Sequence, residues 1–264
     1  MNLSKGQFLT ISIFTALFLV LYLGCDTKTK ETQALEKSRA QNLELISVER
    51  LIEENRQKIS GAAKAELLKL EGELAKAEDE DVKVDYLKSM ASLWYSEGYP
   101  LISGHFAEKI AEENSTEQAW SIAGTTYAIA AKNNEDEFQR KHAVQKSRIA
   151  LENALSLNTD NIDNKINLAL SYVDVPDQDN PMKGVLMLID LNKNNPNNPN
   201  VLFQLGRLAL GTNQLDKAVE RLTQVVEIDN KRTDAYCLLA EVYAKKGEKE
   251  KAEEAQKFCT IIKK

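Results

Sequence analysis

Asn200–Asn230 has the sequence NVLFQLGRLALGTNQLDKAVERLTQVVEIDN, and this stretch determines how the 264-residue chain folds. Apolar residues recur every three or four positions in two runs, which predicts two short amphipathic α-helices. The polar residues 212–214 (TNQ) separate the runs and predict a turn. The small residues Gly206 and Ala218 stand where the two helix backbones would touch. A hairpin of this size cannot bury both apolar faces alone, so it requires similar hairpins stacked on either side.

A second hairpin of the same pattern follows directly. The steps from Gly206 to Ala240 and from Ala218 to Ala252 are both 34 residues, the period of the tetratricopeptide repeat (TPR), and the chain resembles this family. The matching residues of the last repeat are Tyr236, Leu239, Ala240, Tyr243, Gly247 and Ala252. Those of the preceding repeat are Leu202, Leu205, Gly206, Leu215, Ala218 and Leu222. The resemblance implies an all-α fold, a TPR-type α-solenoid of antiparallel helix pairs.

The resemblance covers residues 84–264 as about five repeats. An earlier repeat carries the family spacing of bulky, aliphatic, small and aromatic residues in Trp120, Ala123, Gly124 and Tyr127. We expect its second helix to be delayed by a charged segment, residues 132–146. Residues 43–83 show helical periodicity with many charges and predict a helical hairpin that caps the solenoid. A coiled coil is the weaker alternative there, because the apolar heptads do not persist.

The N-terminal residues 1–25 form either a membrane anchor or a lipoprotein signal. The uncharged run FLTISIFTALFLVLYLG, residues 8–24, is 17 residues long, near the lower limit for a transmembrane helix. We favour a single-pass anchor, so the membrane is expected as a partner through residues 8–24. In the alternative, Cys25 is the lipidated residue, because Leu23-Gly24-Cys25 resembles the end of a bacterial lipobox. Residues 26–42 are a charged spacer.

Two sequence patterns disagree on which side of the membrane the large domain lies. Several basic residues follow the apolar run, and the positive-inside rule would therefore place the large domain in the cytoplasm. The lipobox interpretation would place it outside. Both alternatives predict a protein attached by its N-terminus in a bacterial cell envelope.

Composition and motifs favour a non-enzymatic protein. With 34 basic and 40 acidic residues the net charge is −6, which gives no basic surface for nucleic acid. Cys25, Cys237 and Cys259 do not form a disulfide framework, and we favour single thiols that pack as small hydrophobes. His105 and His142 lie outside any metal-ligand spacing, and no phosphate loop or hydrolase motif is present. We therefore expect no catalytic residue, no cofactor and no metal.

In the family that the chain resembles, the first helices of the repeats line a concave groove that receives a peptide or helix of a partner. The groove-facing candidates are Ser121, Thr125, Ile166, Leu170, Phe203, Arg207, Leu210, Glu241 and Lys245. We expect four of them, Ile166, Leu170, Phe203 and Leu210, to form an apolar patch that favours an apolar or amphipathic partner segment. In the alternative, some of them pack against a neighbouring repeat or the N-terminal hairpin.

Two functions follow from these patterns. The leading hypothesis is a non-enzymatic, membrane-tethered TPR scaffold that binds a protein partner segment in its concave groove. The alternative is an assembly or accessory subunit of a membrane enzyme complex, similar to the TPR subunits of cytochrome c maturation.

Overall fold

The computed structural model describes residues 48–261, and within this range the chain forms twelve α-helices and no β-strand. The predicted anchor (residues 1–25, with Cys25) and the spacer (residues 26–42) lie outside the described residues. The helices are α1 (Val48–Arg56), α2 (Gly61–Leu74), α3 (Glu80–Ser96), α4 (Pro100–Glu113), α5 (Glu117–Asn133), α6 (Glu137–Leu157), α7 (Ile162–Asp174), α8 (Lys183–Asn194), α9 (Pro199–Gly211), α10 (Leu215–Ile228), α11 (Thr233–Lys246) and α12 (Lys249–Ile261). Between residues 48 and 261, every helix is too short or too polar to cross a bilayer.

From α3 onward the helices stack as five consecutive pairs. Each odd-numbered helix packs against the even-numbered helix that follows it, and the next pair packs onto that second helix. Buried apolar residues run along the stack in successive clusters, so each pair contributes to a core that it shares with its neighbours. This arrangement confirms the predicted all-α, TPR-type solenoid.

Polar side chains at the starts of the helices fix where several helices begin. Asp79, Thr116, Asp136, Asn161 and Asn198 each precede a first helix or α6, and each accepts a hydrogen bond from a backbone N–H in the first turn. Such caps satisfy N–H groups that have no partner within the helix and contribute about 1 kcal/mol each.

Small residues allow the paired helices to approach closely, as the sequence predicts for Gly206. A methyl group added at Gly206 of α9 would lie 2.8 Å from Leu222 Cγ of α10. Gly184 of α8 is tighter, because the same addition would lie 2.4 Å from the backbone oxygen of Ala169 in α7. Ala218 is fully buried at the corresponding contact of α10.

The charged segment after α5 folds differently from the prediction. Residues 132–146 were expected to delay the second helix, but α6 runs without interruption from Glu137 to Leu157. Asp136 caps its start, and Lys141 pairs with Glu137 one turn earlier. Most of its charged side chains, such as Arg140 and Lys141, are exposed, while Ala143 and Val144 join the core of the first pairs, so the segment is amphipathic.

Helices α1 and α2 complete the core at the start of the described residues. Leu51 of α1 and Leu67 of α2 pack with Trp94 of α3 in the same apolar cluster. Arg56 joins the two helices by donating two hydrogen bonds to the Glu71 carboxylate, at 2.7 and 2.6 Å. Paired N–H groups match the carboxylate oxygens of such a partner, so this contact fixes the angle between α1 and α2.

Cys237 and Cys259 form a disulfide that links α11 to α12, with the two Cα atoms 4.8 Å apart. This corrects the expectation of single thiols. The antiparallel hairpin brings the first turns of α11 beside the last turns of α12, which places the two cysteines opposite each other.

Candidate functional site

A cleft opens between the first helices α3 and α5, with α4 forming its floor. Its volume is about 610 Å³. Its lining residues are Val84, Lys88, Ala91, Ser92, Tyr95, Ser103, Ala107, Ile110, Asn114, Thr116, Gln118, Ala119, Ile122 and Thr126. The cap at Thr116 fixes the start of α5, and the left-handed turn at Gly98 reverses the chain between α3 and α4.

The cleft is apolar in its walls and nearly neutral in charge. Tyr95 of α3 is 50% exposed and Ile122 of α5 is 52% exposed, so both offer apolar surface to solvent. Lys88 is the one charged residue of the lining, and its ammonium group lies 2.9 Å from the Asp85 carboxylate. Large apolar side chains left uncovered in a concave site are typical of surfaces that bind another molecule.

The predicted apolar patch of the groove is mostly interior. Ile166 and Leu170 of α7 and Leu210 of α9 are buried, and they pack in the cores shared by neighbouring helix pairs. Phe203 is half-buried, and the Arg232 guanidinium lies over its ring at 4.9 Å from the ring centre. The expectation of an exposed patch is therefore corrected for Ile166, Leu170 and Leu210, which pack against neighbouring helices as in the alternative.

The polar groove candidates are held by neighbours in the chain. Ser121 accepts a hydrogen bond from Asn164 at 2.7 Å, which ties α5 to α7. Thr125 donates to the backbone oxygen of Ser121 within its own helix.

The remaining candidates lie farther along the chain. Arg207 donates to Gln204 at 3.0 Å within α9. Glu241 and Lys245 pair with each other on the exposed side of α11. None of the nine candidates lines the 610 Å³ cleft, although Ser121 and Thr125 lie on the same helix as Ile122.

Ile122 is the functional candidate that the sequence analysis missed. The family pattern assigns Trp120, Ala123, Gly124 and Tyr127 to contacts within the stack. Ile122 lies between these positions and has no packing contact assigned by the pattern, which indicates an exposed apolar side chain. This signal is present in the sequence, in the stretch WSIAGTTY.

A buried polar cluster joins α4, α5 and α6 beside the cleft. The Glu108 carboxylate accepts hydrogen bonds from the Tyr127 hydroxyl at 2.7 Å and from the Lys146 ammonium at 2.9 Å. Burial, followed by the charge of Glu108, raises the pKa of Tyr127 far above its usual value. The tyrosine therefore stays protonated and keeps donating to Glu108, so the cluster holds three helices in place.

The two histidines lie near this cluster. Burial, followed by the Lys109 ammonium, lowers the pKa of His105 to about 4. Burial and the Lys146 ammonium lower the pKa of His142 as well, and both of its ring nitrogens are buried without a hydrogen-bond partner. Both imidazoles are therefore neutral at pH 7. Among residues 48–261 no group of three or more His, Cys, Asp or Glu is arranged to hold a metal ion.

The stacked helix pairs define the fold class of the described residues as an α-solenoid of helical hairpins. A sequence model described as "Tetratricopeptide repeat" matches residues 199–232 and 233–260, which are the α9/α10 and α11/α12 pairs with their linkers. Residues 199–260 therefore match the tetratricopeptide repeat model as two consecutive repeats.

Solved structures of TPR proteins show a distant likeness to the chain. MamA from Desulfovibrio magneticus RS-1 is 13% identical, with 69% of this chain and 95% of that chain covered and a TM-score of 0.46. MamA of AMB-1 is 21% identical, with coverages of 68% and 91% and a TM-score of 0.40. YrrB, described as a TPR protein with an unusual peptide-binding site, is 24% identical, with coverages of 67% and 84% and a TM-score of 0.40. These likenesses are too distant to assign a function. No curated protein sequence matches the chain.

Proposed function

We propose that this chain is a non-enzymatic scaffold that binds an apolar or amphipathic segment of a protein partner in the cleft between α3 and α5. The observation that carries the proposal is the uncovered apolar surface of Tyr95 and Ile122 in a concave site with a single paired charge. A cleft of about 610 Å³ has room for a few apolar side chains but not for a folded domain. A partner helix with apolar residues on one face fits it, since such a helix presents its anchors at intervals of three or four residues.

The proposal includes a membrane tether. The uncharged run at residues 8–24 supports a single-pass anchor, and residues 26–42 supply a charged spacer between that anchor and the helix pairs. In this arrangement the cleft holds its partner near the membrane of a bacterial envelope.

The test uses two exposed apolar residues on different faces. Ile122→Glu places a charge in the cleft, while Leu186→Glu places one on the second helix α8, where the residue is equally exposed at 54%. Peptides selected from a random library on the wild-type chain are measured against both variants. We expect apolar residues spaced three or four apart in the selected peptides, at least tenfold weaker binding to Ile122→Glu, and unchanged binding to Leu186→Glu.

Two results would refute the cleft as the binding site. One is equal binding of the selected peptides to wild type and Ile122→Glu. The other is an equal loss for both variants, which would indicate non-specific apolar attraction. Both substitutions lie at surface positions, so we expect the helices to stay intact. Far-ultraviolet circular dichroism of each variant checks this.

A further inference from the structure

The helix α12 buries far less apolar surface than any other second helix of the stack. Ala255 and Cys259 are its only buried residues among those whose side chains are described. By contrast, α4 buries Leu101, Ile102 and Phe106, and α10 buries Leu222 and Val225. An isolated helix of about 13 residues is marginal in water and depends on a packed apolar face, which α12 hardly has.

The contact between α11 and α12 is also partly open to solvent. An open cleft of about 590 Å³ lies between these two helices, walled by small residues such as Ala240, Ala244 and Ala252. Non-covalent contacts that hold α12 include a stack of Tyr236 on Phe258, with ring centres 4.8 Å apart, and Phe258 remains 42% exposed.

We infer that the Cys237–Cys259 disulfide, rather than apolar burial, keeps α12 docked on α11, and that the helix pairs therefore work in an oxidising compartment. The bond closes a loop of 22 residues at the far end of the hairpin from its turn. A cross-link of that span lowers the chain entropy of the undocked state and shifts the docking equilibrium by about 300-fold. Disulfides persist in the periplasm and outside the cell but are reduced in the bacterial cytoplasm.

The chemistry of closure is a thiol–disulfide exchange with a protein oxidant that carries its own disulfide. The thiolate of one cysteine attacks that disulfide, forms a mixed disulfide and releases one oxidant thiol. The second cysteine then attacks the mixed disulfide and releases the other oxidant thiol. The chain loses two protons and two electrons, and the oxidant gains both.

The disulfide favours one of the two membrane sides that the sequence leaves open. The basic residues after the apolar run favour the cytoplasm, but a cytoplasmic chain would carry two free thiols and a poorly held α12. A closed disulfide favours the outer side of the cytoplasmic membrane for residues 48–261, and both the anchor and the lipoprotein interpretation are compatible with that side.

The first experiment measures hydrogen exchange on the full chain, with and without a phosphine reductant. We expect amides of α12 to exchange about 300-fold faster after reduction, while amides of α10 keep their rates. The variants Cys237→Ser and Cys259→Ser should behave like the reduced wild type, and reductant should change nothing further in them. Cys25→Ser is the matched control and should respond to reductant as the wild type does. Unchanged α12 rates after reduction would overturn the role of the bond.

The second experiment measures the bond in cells of the native host. Thiols are blocked by alkylation before lysis, and the mass of the peptides that contain Cys237 and Cys259 is determined. The inference requires these peptides to be linked and free of the alkyl group. Alkylation of both cysteines would show that they are reduced where the protein works, and would overturn the oxidising side.

Discussion

Replacing Gly184 with alanine tests how closely the helix pairs are packed. The added methyl group would lie 2.4 Å from the backbone oxygen of Ala169 and 2.7 Å from the backbone nitrogen of Val173. Ordinary contacts begin near 3.4 Å, so α7 and α8 would have to separate by about 1 Å. Backbone atoms cannot turn aside as a side chain can, and such overpacking lowers stability by about 2–3 kcal/mol.

Two other glycines provide a graded comparison. At Gly206 the methyl group would meet the side chain of Leu222 at 2.8 Å, and a rotation of that side chain limits the expected loss to about 1 kcal/mol. At Gly72 nothing lies within 4 Å, so alanine should raise stability by about 0.5–1 kcal/mol through helix propensity alone. The measurement is urea unfolding followed by circular dichroism at 222 nm, with the midpoint compared at constant slope. A Gly184→Ala protein as stable as wild type would refute the close approach of α7 and α8, and so would a reversed order of the three variants.

Three further predictions concern the polar contacts that join the helix pairs. Tyr127→Phe removes the hydrogen bond to the buried Glu108 carboxylate and should lower the free energy of unfolding by about 2 kcal/mol in urea titrations. Arg148→Lys keeps the charge but loses the guanidinium hydrogen bonds to the backbone oxygens of Ser171 and Val175. Hydrogen exchange should therefore show faster exchange of the backbone amides at the end of α7. Burial holds the pKa of His105 in the folded chain near 4, below its unfolded value of 6.5. The neutral His105 therefore costs no stability above pH 6.5, and the free energy of unfolding falls by up to about 3 kcal/mol as the pH drops toward 4. Urea titrations should show a smaller loss over this pH range in His105→Gln.

The repeat spacing predicts the fold well because it reports contacts within one helix pair and its neighbours. Gly206 and Ala218 lie at the helix contacts that their small size indicates. The same spacing does not predict how much of a helix face the next pair covers, because that depends on the angle between the pairs. For that reason Ile166, Leu170 and Leu210 have the register of groove residues but are interior.

The disulfide was accessible to sequence reasoning through the geometry of the hairpin. Cys237 and Cys259 lie eleven positions on either side of Glu248, which is at the turn between α11 and α12. In an antiparallel hairpin, residues at equal distances from the turn lie at the same height. Cysteine spacing alone does not carry this information, because the pairing depends on the position of the turn.

Residue size explains why a cleft lies between α3 and α5, whereas apolar side chains fill the step between α7 and α9. The walls and floor near α3 and α5 carry small residues such as Ala91, Ala107 and Ala119, which leave space between the first helices. At the corresponding step between α7 and α9, Ile166 and Leu170 fill the space and pack against Val201 and Leu205. The α3–α5 step therefore has depth and the α7–α9 step is filled, so the proposed partner is expected to place its apolar side chains between α3 and α5.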